Sequence, residues 1–175
     1  AQKGLNEKME ELDQSAEDME KQLDRSLEML KKLQVNEKID DLEKELMELS
    51  KKQKLIAEKK EKILEEQNDI NKAFNEIQEE LEELKELNKN LETPLNIEET
   101  KSTEEQINET LEQAEEQIQK NKKNKATKNQ NSAAQQMQEL AEKLDKMQKD
   151  SAQNQQEEDM DDLREFHFEE YFIFK

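Results

Sequence analysis

The residues able to do chemistry are few in this chain and poorly placed for it. The single histidine, His167, has Glu170 one helical turn further on. Together they offer at most two ligands of a weak metal site, and with no cysteine the usual zinc sets are missing. One histidine in an atypical tail also leaves no Ser-His-Asp set. Gly4 is the only glycine, so no glycine-rich phosphate loop exists and Walker-type and dinucleotide-binding motifs are excluded. Carboxylates are abundant, as in Glu79, Glu80, Glu82, Glu83 and Glu86. A general acid needs burial or a specific neighbour to tune it, and a solvated helix face supplies neither. Asp159, Asp161 and Asp162 attract divalent cations only loosely, because the EF-hand spacing and its glycine are absent. Lys120, Lys122, Lys123, Lys125 and Lys128 form the one basic island, able to touch phosphates or lipid headgroups but lacking interleaved aromatics for base stacking. A solvated linker is its simpler reading. No catalytic, cofactor-binding or metal residue emerges, and a non-enzymatic protein is expected.

The elements that would have to position any such residues are helices. Charged residues make up 43% of the chain and hydrophobic ones 30%, too little apolar material for an ordinary globular core and enough for a narrow seam between helices. The net charge of −19 repels nucleic acid and anionic lipid. The longest apolar run, Tyr171-Phe172-Ile173-Phe174, is far below the ~20 residues of a membrane helix, and no signal-peptide pattern is present. The absence of cysteine fits cytoplasm and periplasm equally. The first residue is Ala1 rather than Met, as expected of a fragment or a processed terminus.

The strongest signal runs from Ile39 to Leu91 as an unbroken 3,4-spaced register. With Ile39 as position a, the d positions are Leu42, Leu49, Ile56, Ile63, Ile70, Ile77, Leu84 and Leu91. The a positions are Ile39, Leu46, Gln53, Lys60, Gln67, Phe74, Leu81 and Asn88. The expected helix–helix seam is therefore Ile39, Leu42, Leu46, Leu49, Ile56, Ile63, Ile70, Phe74, Ile77, Leu81, Leu84 and Leu91. Gln53, Lys60, Gln67 and Asn88 are expected to restrict register and partner number. Ile-rich d positions favour antiparallel packing or more than two helices over a parallel zipper. Leu55, Leu64 and Leu87 lie off this seam and widen it toward a second neighbour. Read as one arm, residues 37–92 span ~80 Å.

An earlier arm carries Leu5, Met9, Leu12, Ala16, Met19 and Leu23, then Leu27, Leu30 and Leu33 out of step. The register break near 34–38 is read either as a tight turn at Val35-Asn36, with Asn36 as N-cap, or as a stutter in a continuous helix. Pro94 ends the second arm, and residues 93–102 read as a hinge. Ser102 with Glu105, and Thr103 with Gln106, satisfy capping-box spacing. They precede a short amphipathic helix, 103–119, carrying Ile107, Leu111, Ala114 and Ile118. Residues 120–131 read as a flexible Lys/Asn-rich linker, able within the chain to meet the acidic 76–86 stretch. A capping box of Ser132 and Gln135 then opens a Met-rich helix, 132–156, with Met137, Leu140, Leu144 and Met147 in 3,4 spacing and fraying expected from about 150. Residues 157–175 are an acidic segment followed by an aromatic tail, whose last nine or so residues read locally as strand-like.

Three stretches, LKKLQVNEKIDDLEKEL (30–46), SAAQQMQELAEKLDKMQ (132–148) and EEDMDDLRE (157–165), taken in this order resemble the middle of a family of long, uncharacterised coiled-coil proteins of Bacteroidetes bacteria. The resemblance implies an internal fragment of a larger chain with membrane helices near its N-terminus. It favours the cell envelope as the location, with the cytoplasm as alternative, and it transfers no catalytic residue. After Glu165 the sequence departs from the family pattern, in which an apolar helix continues. We hypothesise a shifted or misassembled reading frame there; FHFEEYFIFK codons confirmed in frame by resequencing would remove that reading.

The expectation is thus an all-α protein of elongated coiled-coil-like helices or helical hairpins, with no sheet. It takes no cofactor and acts as a structural spacer or scaffold by helix–helix association. Its partners are other helices, within the chain or in a homo-oligomer, and other proteins; nucleic acid is not among them. Two alternatives stand beside this reading. One is a binding module using the Met-rich helix 132–149. The other is an accessory helical region of an enzyme whose catalytic part lies elsewhere.

Overall fold

The structure, a computed structural model, describes the backbone of residues 2–59 and 63–173. It describes the side chains of 8–9, 12–59, 63–97 and 100–153. Four α-helices follow one another: α1 (Gln2–Glu58), α2 (Ile63–Lys89), α3 (Lys101–Gln119) and α4 (Lys123–Ile173), with a 3-10 turn at Ile97–Thr100 before α3. The fold is all-α, and the described residues contain no strand. α1 packs on α2 and α4, and α3 packs on the same two helices. The backbones of the diagonal pairs α1–α3 and α2–α4 do not approach closely among the described residues, so the helices make an up-down-up-down ring.

The 37–92 arm is not one rod. The chain breaks after Glu58 and returns at Ile63, folding the long seam into an antiparallel hairpin. The cross-helix pairs Lys59–Glu66, Gln53–Gln67 and Lys38–Glu80 step outward from that turn. The heptad survives because the fold is centred on an a position. Reflection about residue 60 carries a onto a and d nearly onto d, so Leu46 comes level with Phe74 and Ile39 with Leu81. An uninterrupted register is thus compatible with rod and hairpin alike. The polar a residues Gln53 and Gln67 lie on either side of the break between α1 and α2. Lys60 itself lies outside the described residues.

No turn forms at Val35-Asn36: α1 is helical throughout and Asn36 caps nothing. The register break is a change of face. Glu28 and Val35 are buried toward the body, whereas Leu27, Leu30 and Leu33 on the same stretch stay exposed. Leu30 lies roughly 140–160° round the helix from both buried positions. From Leu12 to Leu27 every α1 side chain is exposed.

The hinge between α2 and α3 is a clasp. The Asn88 side-chain amide donates to the Leu95 carbonyl at 2.7 Å and accepts the Leu95 N–H at 2.8 Å. Leu91 and Ile97 close the end of the core, and Glu28 Oε1 accepts the Glu92 N–H at 2.9 Å, rooting α1 there. α3 starts at Lys101, so Ser102 and Thr103 lie inside it and the expected capping boxes do not form. Its N-cap residue, Thr100, makes no side-chain cap.

The expected linker 120–131 is almost entirely helix. Only Lys120–Lys122 connect α3 to α4. Asn121 takes the left-handed conformation at φ 55°, a position usually filled by glycine. The Asn121 N–H then bonds the Ile118 carbonyl and the Lys122 N–H bonds the Gln117 carbonyl, the Schellman pattern that ends a helix. α4 continues past Ser132, which caps nothing, and does not fray at 150. The backbone of the expected strand-like tail is helical to Ile173; residues 174–175 lie outside the described residues. Ala126, Ala133, Ala134 and Ala141 are buried along α4 and allow close approach. Ser50 Oγ accordingly donates to the Ala134 carbonyl at 2.6 Å.

The widening of the seam through Leu55 and Leu64 does not occur, since both are exposed, at 61% and 38%, while Leu87 packs against the core. Ile70→Asp places an uncompensated charge in the core and is expected to cost on the order of 4 kcal/mol or more, while Leu55→Asp should stay within about 0.5 kcal/mol. Urea melts of the two variants check this ordering.

Candidate functional site

The seam residues converge as a body of packed helices. Ile39, Leu42, Leu46, Phe74, Leu81 and Leu84 have no solvent exposure. Leu49, Ile56, Ile70, Ile77 and Leu91 are buried, and Ile63, beside the turn, is half-buried against the core. α3 adds Ile107 and Leu111, and α4 adds Met137, Leu140 and Leu144.

Inside this apolar column lies one polar layer that reaches all four helices. Gln53 on α1 and Gln67 on α2 exchange two amide hydrogen bonds of 3.0 Å each. Gln67 Nε2 also donates to Asn71 Oδ1 at 3.0 Å, and Gln67 Oε1 accepts from Gln130 Nε2 of α4 at 2.9 Å. Asn71 in turn donates to Glu115 Oε2 of α3 at 2.8 Å. Both donors and both acceptor positions of the Gln67 amide are therefore used. The three glutamines are essentially unexposed. Of this layer only Gln53 and Gln67 stand out in the sequence as polar residues at a positions. Gln130, Asn71 and Glu115 lie on faces that carry no such contrast.

A second, ionic cluster joins α2 to α3. Lys85 Nζ donates to Glu82 Oε1 at 2.7 Å and to Glu104 Oε1 at 3.2 Å. Thr100 Oγ1 lies 2.6 Å from Glu104 Oε1. Lys85 and Glu104 are both buried. Burial opposes the Lys85 charge, but its hydrogen bonds to Glu82 and Glu104 outweigh this and raise its pKa above that of a free lysine. The same lysine, by hydrogen bonding, holds the Glu82 carboxyl below the usual carboxylate range. Across α1 and α2, Lys38 meets Glu80 at 2.7 Å and Glu83 at 3.2 Å. Lys38 thus reaches the acidic 76–86 stretch from another helix, whereas Lys120 of the 120–128 island pairs with Glu116 of α3. Nothing in the spacing of Lys85 or Glu104 separates them from the surrounding charges, so neither was legible beforehand.

The amides of the first cluster and the Lys85–Glu104 pair of the second tie one helix to another, whereas Glu82 holds Lys85 within α2. A groove of about 280 Å³ beside the α1–α2 turn is lined by Leu49, Leu55, Ile56 and Ile70, with Lys52, Lys59, Glu66 and Asp69 also lining it. Its Lys59–Glu66 pair is at 2.8 Å and solvated. No group of three potential metal ligands occurs among the described residues. The side chains of Asp159, Asp161, Asp162, His167 and Glu170 lie outside those described. No described helix is long and apolar enough to cross a membrane. Comparison with family models, with curated proteins and with solved structures finds no match to this chain.

Replacing Gln67 alone by Leu strands the Gln53 amide, the Gln130 donor and the Asn71 acceptor. A loss on the order of 2–4 kcal/mol is expected. The triple change Gln53→Leu, Gln67→Leu and Gln130→Leu removes the stranded glutamine groups together and leaves only the Asn71 acceptor, which is half-buried and within reach of water. It should recover most of that loss, at the expense of a uniquely specified register. Urea melts read the first effect, and amide line broadening in heteronuclear spectra reads the second.

Proposed function

We propose that this chain is a non-enzymatic spacer or scaffold that works by helix–helix association. The observation that carries this reading is the Gln67 layer. A buried amide satisfied at every position locks four helices in one register, as a load-transmitting body requires and a reaction centre does not. The length of α1 supports it as well. At 57 residues it spans roughly 85 Å, of which about half lies in the body and half beyond it. Membership of a larger, membrane-anchored parent belongs to the same proposal and rests on the sequence resemblance.

The Met-rich helix has less support as a docking element. Met137, Leu140 and Leu144 are unexposed and turned into the body, so capture of a partner by that face requires opening the bundle.

A spacer must hold its ends at a fixed separation. Spin labels at Lys21→Cys and Lys51→Cys, both on the exposed surface of α1, are expected about 45 Å apart in a narrow distribution when labelled chains are diluted with unlabelled ones. A broad or much shorter distribution contradicts the spacer reading.

A further inference from the structure

The outer half of α1 presents an apolar stripe that the body does not use. Leu12, Met19 and Leu23 are 69–70% exposed, and Met9, Leu27, Leu30 and Leu33 are 51–59% exposed. Their spacing keeps them on one side of the helix over about three and a half heptads, the length at which a coiled-coil signal becomes significant. Near the body this stripe points away from the face occupied by Glu28 and Val35, so the bundle is closed to it on geometric grounds. The seam heptad of α4 does not carry such a stripe onward in the sequence. The heptad set by Met137, Leu140, Leu144 and Met147 continues through Ser151, Asn154, Glu158 and Asp161, polar at each seam position.

We infer that residues 9–33 of α1 form a parallel, in-register two-stranded coil with the same segment of a second copy of this chain. This deepens the scaffold reading and rests on it. Three features select a second copy in this orientation. First, two such stripes withdraw on the order of 1,000–1,500 Å² from water, around the lower bound of a specific dimer interface. Second, taking Met9, Ala16, Leu23 and Leu30 as a, and Leu12, Met19, Ser26 and Leu33 as d, places Lys8 at g and Asp13 at the following e. In a parallel pair these oppose each other across the seam with opposite charge, whereas antiparallel pairing about the middle of the segment sets Glu20 against Glu20 of the other copy. Third, each body lies on the far side of its own α1, so a twofold axis along the coil carries the two bodies outward without collision. Ser26 is the polar exception at d. Its hydroxyl donates to the Gln22 carbonyl of its own helix at 2.9 Å and needs no partner across the seam.

The chain contains no cysteine, so a single introduced thiol reports pairing directly. Sedimentation equilibrium of the full chain is expected to give twice the monomer mass. Leu23→Glu with Leu30→Glu should return the monomer while the thermal transition of the body is unchanged, because both residues lie on the exposed face. Met19→Cys should form a disulfide dimer with itself on mild oxidation. A monomeric parent overturns the inference, whether the stripe stays bare or is covered by its own chain. A dimer insensitive to the two glutamates overturns it as well. Cross-linking of Met19→Cys only to Leu23→Cys of a second chain shows antiparallel pairing and overturns the stated register. The narrow 45 Å separation along α1 is read on diluted labels, so the spacer reading can fail or survive independently of these outcomes.

Discussion

The Gln67 side chain sits where α1, α2 and α4 meet, and through Asn71 it reaches α3. An amide removed from water is costly unless its two protons and two lone pairs all find partners. Here they do so only when the hairpin is closed at one register and α4 lies at one height. A slip of α1 against α2 by a heptad keeps the apolar seam intact but separates Gln53 from Gln67. The apolar column therefore supplies cohesion without a fixed position, and the polar layer supplies the position. The Lys85–Glu104 pair acts similarly at the other end of α2, with the Asn88 clasp setting the length of the connection.

This division of labour explains what could be read from residues alone. The seam was legible in detail because burial in a helical bundle has a period, and the buried Ile, Leu and Phe residues of α1 and α2 lie on that period. The reversal between α1 and α2 was not, because a hairpin centred on an a position preserves the heptad and the sequence between the two helices holds neither glycine nor proline. Asn121 hid the α3–α4 turn for a related reason: asparagine tolerates the left-handed conformation that glycine usually marks. The lysine-rich stretch after it lacks an apolar stripe because its first turns contribute mainly Ala126 and Gln130 to the core.

The polar layer itself was half visible. Gln53 and Gln67 break an apolar series and so attract notice, whereas Gln130 lies among asparagines and glutamines on both sides. Residues whose importance comes from a partner distant in sequence leave no local trace. The outer α1 stripe is the converse case. It is conspicuous in the sequence and exposed in the fold, which makes the change of face at residues 28–35 a boundary between a buried seam and an exposed stripe.

Everything above depends on the long register being folded back upon itself. The separation of labels on Lys44→Cys and Glu76→Cys, both exposed positions, decides this most directly. A closed hairpin places them within about 20 Å, given interaxial distances of roughly 8–10 Å. A straight arm through residues 59–62 places them about 48 Å apart and would contradict the account.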